Sequence, residues 1–258
     1  MDKALAKEPK KSDNAFKNIF RKSGEFINKE LKNSLISLRI SNKIFKSQTD
    51  NEGYFSFSLD LPKELRYNKK ATIYLTNNPK INKFTKSFLP TKRVELGIIS
   101  DVDDTVLLSS VTHKTKMIKE LFSKNYKQRV AVANMAKYYT KILSKTKNKT
   151  IFFVSGSPNQ LQNSIEKFLS YNGFPKHILI TKKIHGKGSY SLFKQQNYKL
   201  QQIEKLIKIY PNIRWLLYGD SGEKDREIYL KLAHKYPKNI KAIYIRDVNS
   251  GKFIRLLH

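Results

Sequence analysis

From residue 93 onward the chain alternates between short apolar stretches and helical stretches, and this alternation constrains the fold more than any other feature. The apolar stretches are rich in β-branched residues and cover 94–100, 151–155, 177–181, 213–219 and 242–248. Strands that are apolar along their whole length are typical of a parallel sheet with helices on both faces. The sequence therefore predicts an α/β domain over 93–258, with functional residues beyond the carboxyl ends of its strands.

The region before this domain has a different pattern, in which apolar and polar residues alternate. The apolar positions are Ile36, Leu38 and Ile40, then Phe55, Phe57 and Leu59, then Ile73 and Leu75. A period of two residues indicates strands with one buried face, which is typical of antiparallel sheets. We therefore predict a small antiparallel, sandwich-like β module over 35–92, with a turn at 49–55 that feeds its second stretch.

Residues 1–34 form the third predicted region. Residues 1–12 are charged and are expected to be a disordered basic tail. Over 14–35 the apolar residues Phe16, Ile19, Phe20, Ile27 and Leu31 recur at helical spacing among basic residues, which indicates an amphipathic helix. Such a helix either docks on its own domain or lies on an anionic membrane surface.

The charge balance is strongly basic, with 51 Lys and Arg against 21 Asp and Glu and a net charge of +30. Such a surface attracts nucleic acid, anionic lipid or phosphorylated substrates, although a lysine-rich composition throughout the source's proteins gives the same balance. We do not expect a nucleic acid partner, because no arginine-rich or aromatic-interleaved motif is present. The absence of cysteine excludes disulfides and thiolate metal sites.

The first residues are charged, without the apolar core of a signal peptide, and no apolar run is long enough to span a bilayer. The expectation is therefore a cytoplasmic protein, either free or attached peripherally to the inner face of the membrane. No obligatory protein partner is expected.

Acidic residues follow two of the predicted strands. Asp101 and Asp103 come directly after the first strand, and Asp220 and Asp225 follow the fourth. Because carboxyl ends of parallel strands meet at one edge of a sheet, these carboxylates are expected to share a pocket. Crowded carboxylates need a cation or a proton between them, and Mg²⁺ prefers oxygen ligands of this kind.

Polar residues also follow the second strand and precede a later helix. Ser155 lies at the tip of the second strand, where backbone and hydroxyl groups can bind an anion. Ser157 has capping-box spacing to Gln160, with Pro158 at the first helical position, so an ordinary helix cap is favoured for Ser157. Lys199 precedes an apolar helical stretch between the second and fourth strand ends.

In this order, Asp-x-Asp-x-Thr at 101–105, Ser155, Lys199 and Gly-Asp-x₄-Asp at 219–225 resemble the four motifs of the haloacid dehalogenase superfamily. The longer sequence segments at 99–106, 154–158 and 219–225 resemble the catalytic domain of actin-patch-type phosphatidate phosphatases, which are relatives of the lipins. The resemblance covers about 93–250 and implies a Rossmannoid parallel sheet with a small flap or cap insert. It also extends more loosely to the β module.

The resemblance implies a role for each motif residue. Asp101 attacks phosphorus and forms an aspartyl-phosphate, and Asp103 acts as acid and then as base. Mg²⁺ is held by Asp101, the Asp103 carbonyl and Asp220, with Asp225 completing the site directly or through water. Ser155 and Lys199, together with Thr105, bind the phosphoryl oxygens.

Two further segments border the expected site. Residues 106–150 occupy the position of the flap or cap, and helices are predicted around 116–122 and 130–143. The loop after the third strand is either a grip for an anionic headgroup or a solvated basic loop. Its residues considered for substrate binding are Lys182, Lys183, His185 and Lys187.

The predicted function is a Mg²⁺-dependent phosphatase that converts phosphatidate to diacylglycerol, working at an anionic membrane surface. The alternatives are a phosphatase of soluble phosphomonoesters or nucleic-acid ends, and a non-catalytic phospholipid-binding module. The intact pair Asp101 and Asp103 favours an enzyme, because a binding module has no need for the second carboxylate.

Overall fold

The computed structural model describes residues 8–15, 18, 31–51, 53–57, 59–62, 71–78, 95–108, 123–146, 150–182 and 195–256. The chain divides into two compact units, one formed by 1–27 with 93–258 and the other by 28–92. No helix among the described residues is both long and apolar enough to cross a membrane.

The elements follow one another in the chain order β1 (Leu35–Ile40), β2 (Lys43–Gln48), β3 (Ala71–Leu75), β4 (Glu95–Ser100), β5 (Leu107–Leu108), β6 (Val130–Ala131), α1 (Met135–Ser144), β7 (Ile151–Pro158), α2 (Gln162–Tyr171), β8 (Ile178–Lys182), α3 (Gln195–Ile209), β9 (Ile213–Asp220), α4 (Asp225–Lys235), β10 (Ile240–Arg246) and β11 (Phe253–Arg255). A short 3-10 helix, Asn159–Leu161, precedes α2.

The larger unit is built on a six-stranded sheet with the order β11-β10-β9-β4-β7-β8. Strands β10, β9, β4, β7 and β8 are parallel, and only β11, paired with β10, is antiparallel. The predicted α/β class with a largely parallel central sheet is therefore confirmed. The five apolar stretches of the sequence correspond to these five parallel strands, each within a few residues of its predicted bounds.

Both faces of this sheet are covered, as the unbroken apolar runs predicted. On one face Ile98 and Phe153 pack in a cluster with side chains of α1 and α2. Their neighbours in the strands, Ile99 and Phe152, are also buried, and the Phe152 ring lies 5.9 Å from the Trp215 ring. Consecutive residues of a strand point to opposite faces, so both faces must be buried to hide such a run.

Strand β4 lies between β7 and β9, and its last residue, Ser100, is level with Phe153 and Tyr218 on these neighbours. The next residues along the three strands are therefore brought to the same edge of the sheet. This register places the loops that follow β4 and β9 beside the final residues of β7.

After β4 and the turn at 101–106, β5 pairs with β6 in a small two-stranded sheet. The predicted helix over 130–143 is wrong at its start, because Val130 and Ala131 pair with Leu108 and Leu107 and the helix α1 begins at Met135. Asn134 precedes it with a left-handed backbone (φ 62°), a conformation that asparagine adopts more readily than most residues. The predicted helix at 116–122 lies outside the described residues.

The unit 28–92 contains an antiparallel sheet of order β2-β1-β3, in which Leu38 and Ile40 are buried. The turn predicted at 49–55 is present, with the Tyr54 amide donating to Asp50 and Gly53 at a φ of 79°. The predicted strand at 55–59 is wrong for its described residues: Phe57 and Leu59 pack on the core without a strand ladder. Their alternation therefore reflects one-sided packing alone.

The N-terminal predictions hold in part where residues are described, because Ala15 and Asn18 are helical and the Asn18 amide donates to Asn14 O at 3.2 Å. The expected disorder of 8–12 and the predicted end of the helix are wrong. Residues 8–12, expected to be disordered, pack on the loop 123–129, where the carbonyls of Lys10 and Lys11 accept side-chain amide hydrogen bonds. The predicted helix does not extend through 31–34, because the Ser34 amide instead donates to Thr49 at the start of the β module. Phe16, Ile19, Phe20 and Ile27 lie outside the described residues.

Candidate active site

The loops after β4 and β9 bring their acidic residues to one buried location. Asp101, Asp220 and Asp225 are each at most 1% exposed, and Asp103 is 7% exposed. Burial is unusual for carboxyl groups, since it removes their hydration and requires compensation by cations, protons or hydrogen bonds. The described residues around them provide such compensation in three ways.

The first is Lys199, which α3 places beneath the acidic loops. Its ammonium lies 2.9 Å from Asp101 Oδ1, 2.8 Å from Asp225 Oδ1 and 2.7 Å from Glu223 Oε2. Burial alone would lower the pKa of Lys199, but the carboxylates of Asp101, Asp225 and Glu223 outweigh it and hold the pKa well above its usual value. The lysine is therefore a permanent positive charge that joins both loops.

Asp101 is fixed through its backbone as well as its side chain. Its amide donates to Tyr218 O at 2.8 Å, and its carbonyl accepts from Ser100 Oγ at 2.7 Å. Ser100 Oγ also lies 2.9 Å from the Tyr139 hydroxyl. While Asp101 Oδ1 faces Lys199, Oδ2 is buried without a hydrogen-bond partner among the described residues. One oxygen of a firmly held carboxylate is thus available for a further ligand.

The second form of compensation is a pair of serines facing Asp103. Ser157 Oγ donates to Asp103 Oδ2 at 3.1 Å, and Ser155 Oγ lies 3.5 Å from the same atom. Burial, and then the charge of Glu223, raise the pKa of Asp103, whereas Arg129 and the Ser157 hydroxyl oppose the rise. A carboxyl group with a raised pKa holds a proton more readily, as an acid catalyst must.

The interpretation of Ser157 as a helix cap is wrong. Strand β7 continues through Pro158, a 3-10 helix follows, and α2 begins only at Gln162 without a side-chain cap. Since the chain is still extended at Ser157, its hydroxyl is directed to Asp103 instead of to the helix amides.

The third form is the backbone of the loop after β9. Asp220 Oδ1 accepts hydrogen bonds from the amides of Gly222 at 2.6 Å and Glu223 at 2.9 Å. Its other oxygen, Oδ2, is buried without a hydrogen-bond partner among the described residues. Burial, followed by the charge of Asp225, raises the pKa of Asp220 to about 7.

The absence of a side chain at Gly219 leaves room for Asp225 in the site. A Cβ at this position would lie 2.5 Å from Asp225 Oδ2 and 2.8 Å from Tyr229 Cε2, closer than real Cβ contacts. The Tyr229 hydroxyl donates to Tyr218 O at 3.0 Å, which holds α4 against β9. The glycine therefore permits the close approach of the first turn of α4.

A divalent cation fits this arrangement of donors. Asp101, Asp220 and Glu223 each offer one carboxylate oxygen, and these atoms lie within 4.8 Å of one another. The buried Oδ2 atoms of Asp101, Asp220 and Asp225 lack hydrogen-bond partners among the described residues. Oxygen ligands of this charge and density are typical of sites for hard cations, and a bound cation would relieve the repulsion among them.

A family model described as the catalytic domain of phosphatidate phosphatase APP1 matches residues 96–247, more than half of the chain. The chain belongs to this family. The match begins in β4, ends just after β10 and includes both acidic loops, the two serines and Lys199. Family membership predicted from the motifs is thereby confirmed.

Two fungal relatives extend the comparison. Phosphatidate phosphatase APP1 of Saccharomyces cerevisiae is 33% identical over 153 residues, which are 58% of this chain and 26% of that protein. An uncharacterised protein of Schizosaccharomyces pombe is 28% identical over 216 residues, which are 80% of this chain and 35% of that protein. The part of this chain that matches thus covers about a quarter of the length of the first relative and about a third of the second.

The structure brings together most of the residues that the sequence analysis singled out. Thr105 is fully buried near Asp103, and its hydroxyl has no hydrogen-bond partner among the described residues. Lys182 is buried at the end of β8, and this burial lowers its pKa. The rest of the predicted basic loop, Lys183, His185 and Lys187, lies outside the described residues. The catalytic and binding roles of all these residues stay predictions.

Three contributors were missed by the sequence analysis. Glu223 joins the group of carboxylates that could hold a cation, although the motif of its loop specifies only Asp220 and Asp225. Ser157 was assigned to a helix cap, and Arg129, which is 8% exposed and whose charge acts on Asp103, has no motif around it. A correct assignment of Ser157 requires the end of its strand to be known to within two residues, and the sequence does not locate that end so closely.

Proposed function

We propose that this chain is a Mg²⁺-dependent phosphatase of the haloacid dehalogenase type that hydrolyses phosphatidate to diacylglycerol and inorganic phosphate through an aspartyl-phosphate. The proposal is carried by one observation: carboxylate oxygens of the buried Asp101 and Asp220 and of the half-buried Glu223 lie within 4.8 Å of one another, and Lys199 is 2.9 Å from Asp101. Membership of the phosphatidate phosphatase family supports the substrate class.

In the first step, a carboxylate oxygen of Asp101 attacks phosphorus and the bond from phosphorus to the lipid oxygen breaks. The departing alkoxide takes a proton from Asp103, whose pKa is raised by burial and the charge of Glu223, so that it can carry that proton. The products are a phosphorylated Asp101, neutral diacylglycerol and an ionised Asp103.

In the second step, Asp103 accepts a proton from water and the resulting oxygen attacks the same phosphorus. The bond between phosphorus and Asp101 breaks, inorganic phosphate leaves, and both carboxyl groups return to their starting states. The hydrogen bond from Ser157 to Asp103, at 3.1 Å, orients the acid–base group during both transfers.

The phosphate dianion cannot approach this pocket unless its charge and that of the carboxylates are offset. Lys199 supplies one fixed positive charge, and Thr105 and Ser155 lie beside the pocket with hydroxyls suited to phosphoryl oxygens. A bound Mg²⁺, held by Asp101 and Asp220 with Glu223 or Asp225, would supply the remaining charge stabilisation. The Asp103 carbonyl completes the proposed set of ligands.

The fold also supports the haloacid dehalogenase type. The strand that precedes the proposed nucleophile, β4, lies between β7 and β9, and the β5–β6 pair follows the Asp101–Thr105 turn directly. This small β pair occupies the position of the predicted flap. Both of its strands lie within the insert that separates the first two motifs.

We further propose that the protein works at the cytoplasmic face of an anionic membrane. Its substrate is a bilayer lipid, and the net charge of +30 favours attraction to anionic headgroups. The part of the predicted amphipathic helix that lies before residue 31 is the proposed insertion segment, and the basic residues at 182–187 are the proposed headgroup contacts.

A panel of phosphate-release assays tests the proposal. Wild type is offered phosphatidate in mixed micelles, soluble phosphomonoesters and 5′-phosphorylated oligonucleotides, each with Mg²⁺ or with excess EDTA. The expected result is preferential, EDTA-sensitive release from phosphatidate, with the Asp101→Asn variant as the control for contaminating phosphatases. Preference for a soluble ester or an oligonucleotide would contradict the lipid assignment, and liposome binding without turnover would point to a binding module.

A further inference from the structure

Arg246, the last residue of β10, contacts both acidic loops. It is level with Asp220 on the neighbouring strand β9, and its backbone carbonyl accepts a hydrogen bond from the Ser221 amide at 2.9 Å. Its side chain contacts the other loop, where Nη1 donates to Asp104 O at 3.0 Å. Since β9 lies between β10 and β4, the side chain has to extend past β9 to make this bond. Arg246 thus joins the loop after β9 through its backbone and the loop after β4 through its guanidinium.

The residue that accepts this bond, Asp104, has an uncommon backbone conformation. Its φ is 52°, in the left-handed region that residues other than glycine seldom adopt. Such a conformation persists where the surrounding structure fixes it. The Asp104 amide donates to Leu107 O at 2.8 Å, and the Asp104 carbonyl accepts from Arg246. The turn is therefore fixed on both sides of its left-handed residue.

The preceding residue, Asp103, depends on this turn for its orientation. In a trans peptide the N–H and C=O groups point in opposite directions. The bond from the Asp104 amide to Leu107 O therefore directs the Asp103 carbonyl away from β5. That carbonyl is a proposed cation ligand, and the Asp103 carboxyl is the proposed acid–base group. A change in the backbone of Asp104 would displace both groups together.

Stability alone does not account for Arg246. The residue is 8% exposed, and its hydrogen bond to the β4 loop is made to a neutral carbonyl. Its Nε is also buried without a hydrogen-bond partner among the described residues. A buried charge whose hydrogen bonding is incomplete adds little to the free energy of unfolding. The position that it gives to the turn is a better explanation of its presence.

We propose that Arg246 is a positioning residue for the reaction, a clamp between the two acidic loops that holds Asp103 and Asp104 in the conformation that cation binding and proton transfer require. The proposal deepens the phosphatase assignment and rests on it for the reaction itself. The conformation of the turn and the affinity for a cation can be measured without any substrate.

Amide hydrogen exchange, followed by NMR, tests the clamp in the absence of a cation. Arg246→Met keeps an apolar stem but has no donor, so the Asp104 amide should exchange at least about 10-fold faster than in wild type. The Ser221 amide is the internal control, because its bond is to the backbone carbonyl at 246, which every variant retains. Its exchange should stay within about twofold. Unchanged exchange at Asp104, or equal acceleration at both amides, would overturn the clamp.

Calorimetric titration with Mg²⁺ tests the consequence for the cation. The dissociation constant should rise about 10-fold in Arg246→Met, because a displaced ligand has to be reordered on binding. Arg246→Lys keeps a charged donor and should recover part of the lost affinity. If Arg246→Met does not fold, Arg246→Gln, which stays polar and is two bonds shorter, replaces it with the same expected results.

Asn239→Ala is the matched control for a general loss of stability. Asn239 immediately precedes β10 at the opposite end of the strand from Arg246, and its Nδ2 donates to Pro211 O at 2.8 Å. This variant should lower Tm much as Arg246→Met does, while the affinity for Mg²⁺ stays within about twofold of wild type. An equal loss of affinity in both variants would overturn the clamp.

Phosphate release from phosphatidate at saturating Mg²⁺ distinguishes this inference from the proposed function. We expect kcat to fall about 30-fold in Arg246→Met with KM within about twofold, because the clamp places groups that act on the bound ester. A wild type that hydrolyses no ester, but whose Mg²⁺ affinity falls in Arg246→Met, would refute the phosphatase assignment and keep the clamp. A wild type that hydrolyses phosphatidate, with kcat and Mg²⁺ affinity unchanged in Arg246→Met, would keep the phosphatase and overturn the clamp. No binding of Mg²⁺ by the wild type would overturn it as well.

Discussion

The two acidic loops at the edge of the central sheet compensate their carboxylates in different ways. After β9, Asp220 Oδ1 is held by the backbone amides of Gly222 and Glu223. After β4, the carboxylates of Asp101 and Asp103 contact only side-chain groups among the described residues, namely Lys199 and the serines. Lys199 also reaches Asp225 and Glu223 after β9. Backbone donors are fixed by the fold, whereas side-chain donors can follow a charge that moves during a reaction. We therefore propose that the β9 loop, together with Asp101, holds the cation and that the changing chemistry takes place on the β4 loop.

The largest expected effect comes from the β4 loop. Asp101→Asn keeps the shape of the side chain but cannot form the acyl-phosphate, so phosphate release should fall by at least about 10³-fold. Circular dichroism should show an unchanged fold, since an amide in this crowded site relieves repulsion. A variant that keeps more than roughly a hundredth of wild-type activity would remove Asp101 from the nucleophilic role and break the comparison.

A smaller effect, of a different kind, is expected from the β9 loop. Asp220→Ala removes one cation ligand, so activity should fall by roughly 10²-fold and the Mg²⁺ concentration for half-maximal rate should rise. A Mg²⁺ titration of the initial rate measures both quantities. Ser221→Ala is the control within the same loop, because the Ser221 side chain is exposed and accepts a hydrogen bond from the Val248 amide at 3.1 Å, away from the carboxylates. An unchanged Mg²⁺ requirement in Asp220→Ala would show that the cation is held elsewhere.

The same two loops show most clearly how much of the site the sequence predicts. Asp101, Asp103, Asp220 and Asp225 could be predicted because each follows an apolar strand, and strand direction alone brings the ends together. Ser157 could not, because its spacing to Gln160 equally fits a helix cap and only the true end of β7 decides between the two. Local patterns carry no information on where an extended chain gives way to a helix to within two residues.

Long-range contacts account for the other errors. The residues 8–12 are charged and look disordered, but their backbone carbonyls find amide donors on a loop more than a hundred residues away. Phe57 and Leu59 alternate as a strand would, yet burial of one face is all that the alternation requires. In both cases the sequence pattern correctly shows which residues are polar or apolar, but tertiary contacts determine the backbone conformation.

The smallest expected effect concerns stability and pH. Burial and the charge of Asp225 raise the pKa of Asp220 to about 7, above its value in the unfolded chain. The folded state therefore keeps a proton that the unfolded chain loses, so this contribution is complete below about pH 4 and is lost as pH rises through 7. Mg²⁺ can replace the proton at high pH.

Melting curves with EDTA or Mg²⁺ at pH 5 and pH 8 measure this linkage. Mg²⁺ should raise Tm little at pH 5 and on the order of 5 °C at pH 8, because protons compete for the ligands in acid. Asp220→Asn should reduce the difference between the two pH values. An equal gain at both would mean that the carboxylates of the β9 loop do not hold the cation.

Gly219 has a consequence for how substitutions in this chain will be interpreted. Any side chain there would overlap Asp225 and Tyr229, so the position tolerates glycine alone although glycine has no group that can take part in the reaction. In a scan of all single substitutions, it will be as intolerant as the neighbouring aspartate. Intolerance at 219 therefore reports the room that α4 needs, and it is not a sign of chemistry.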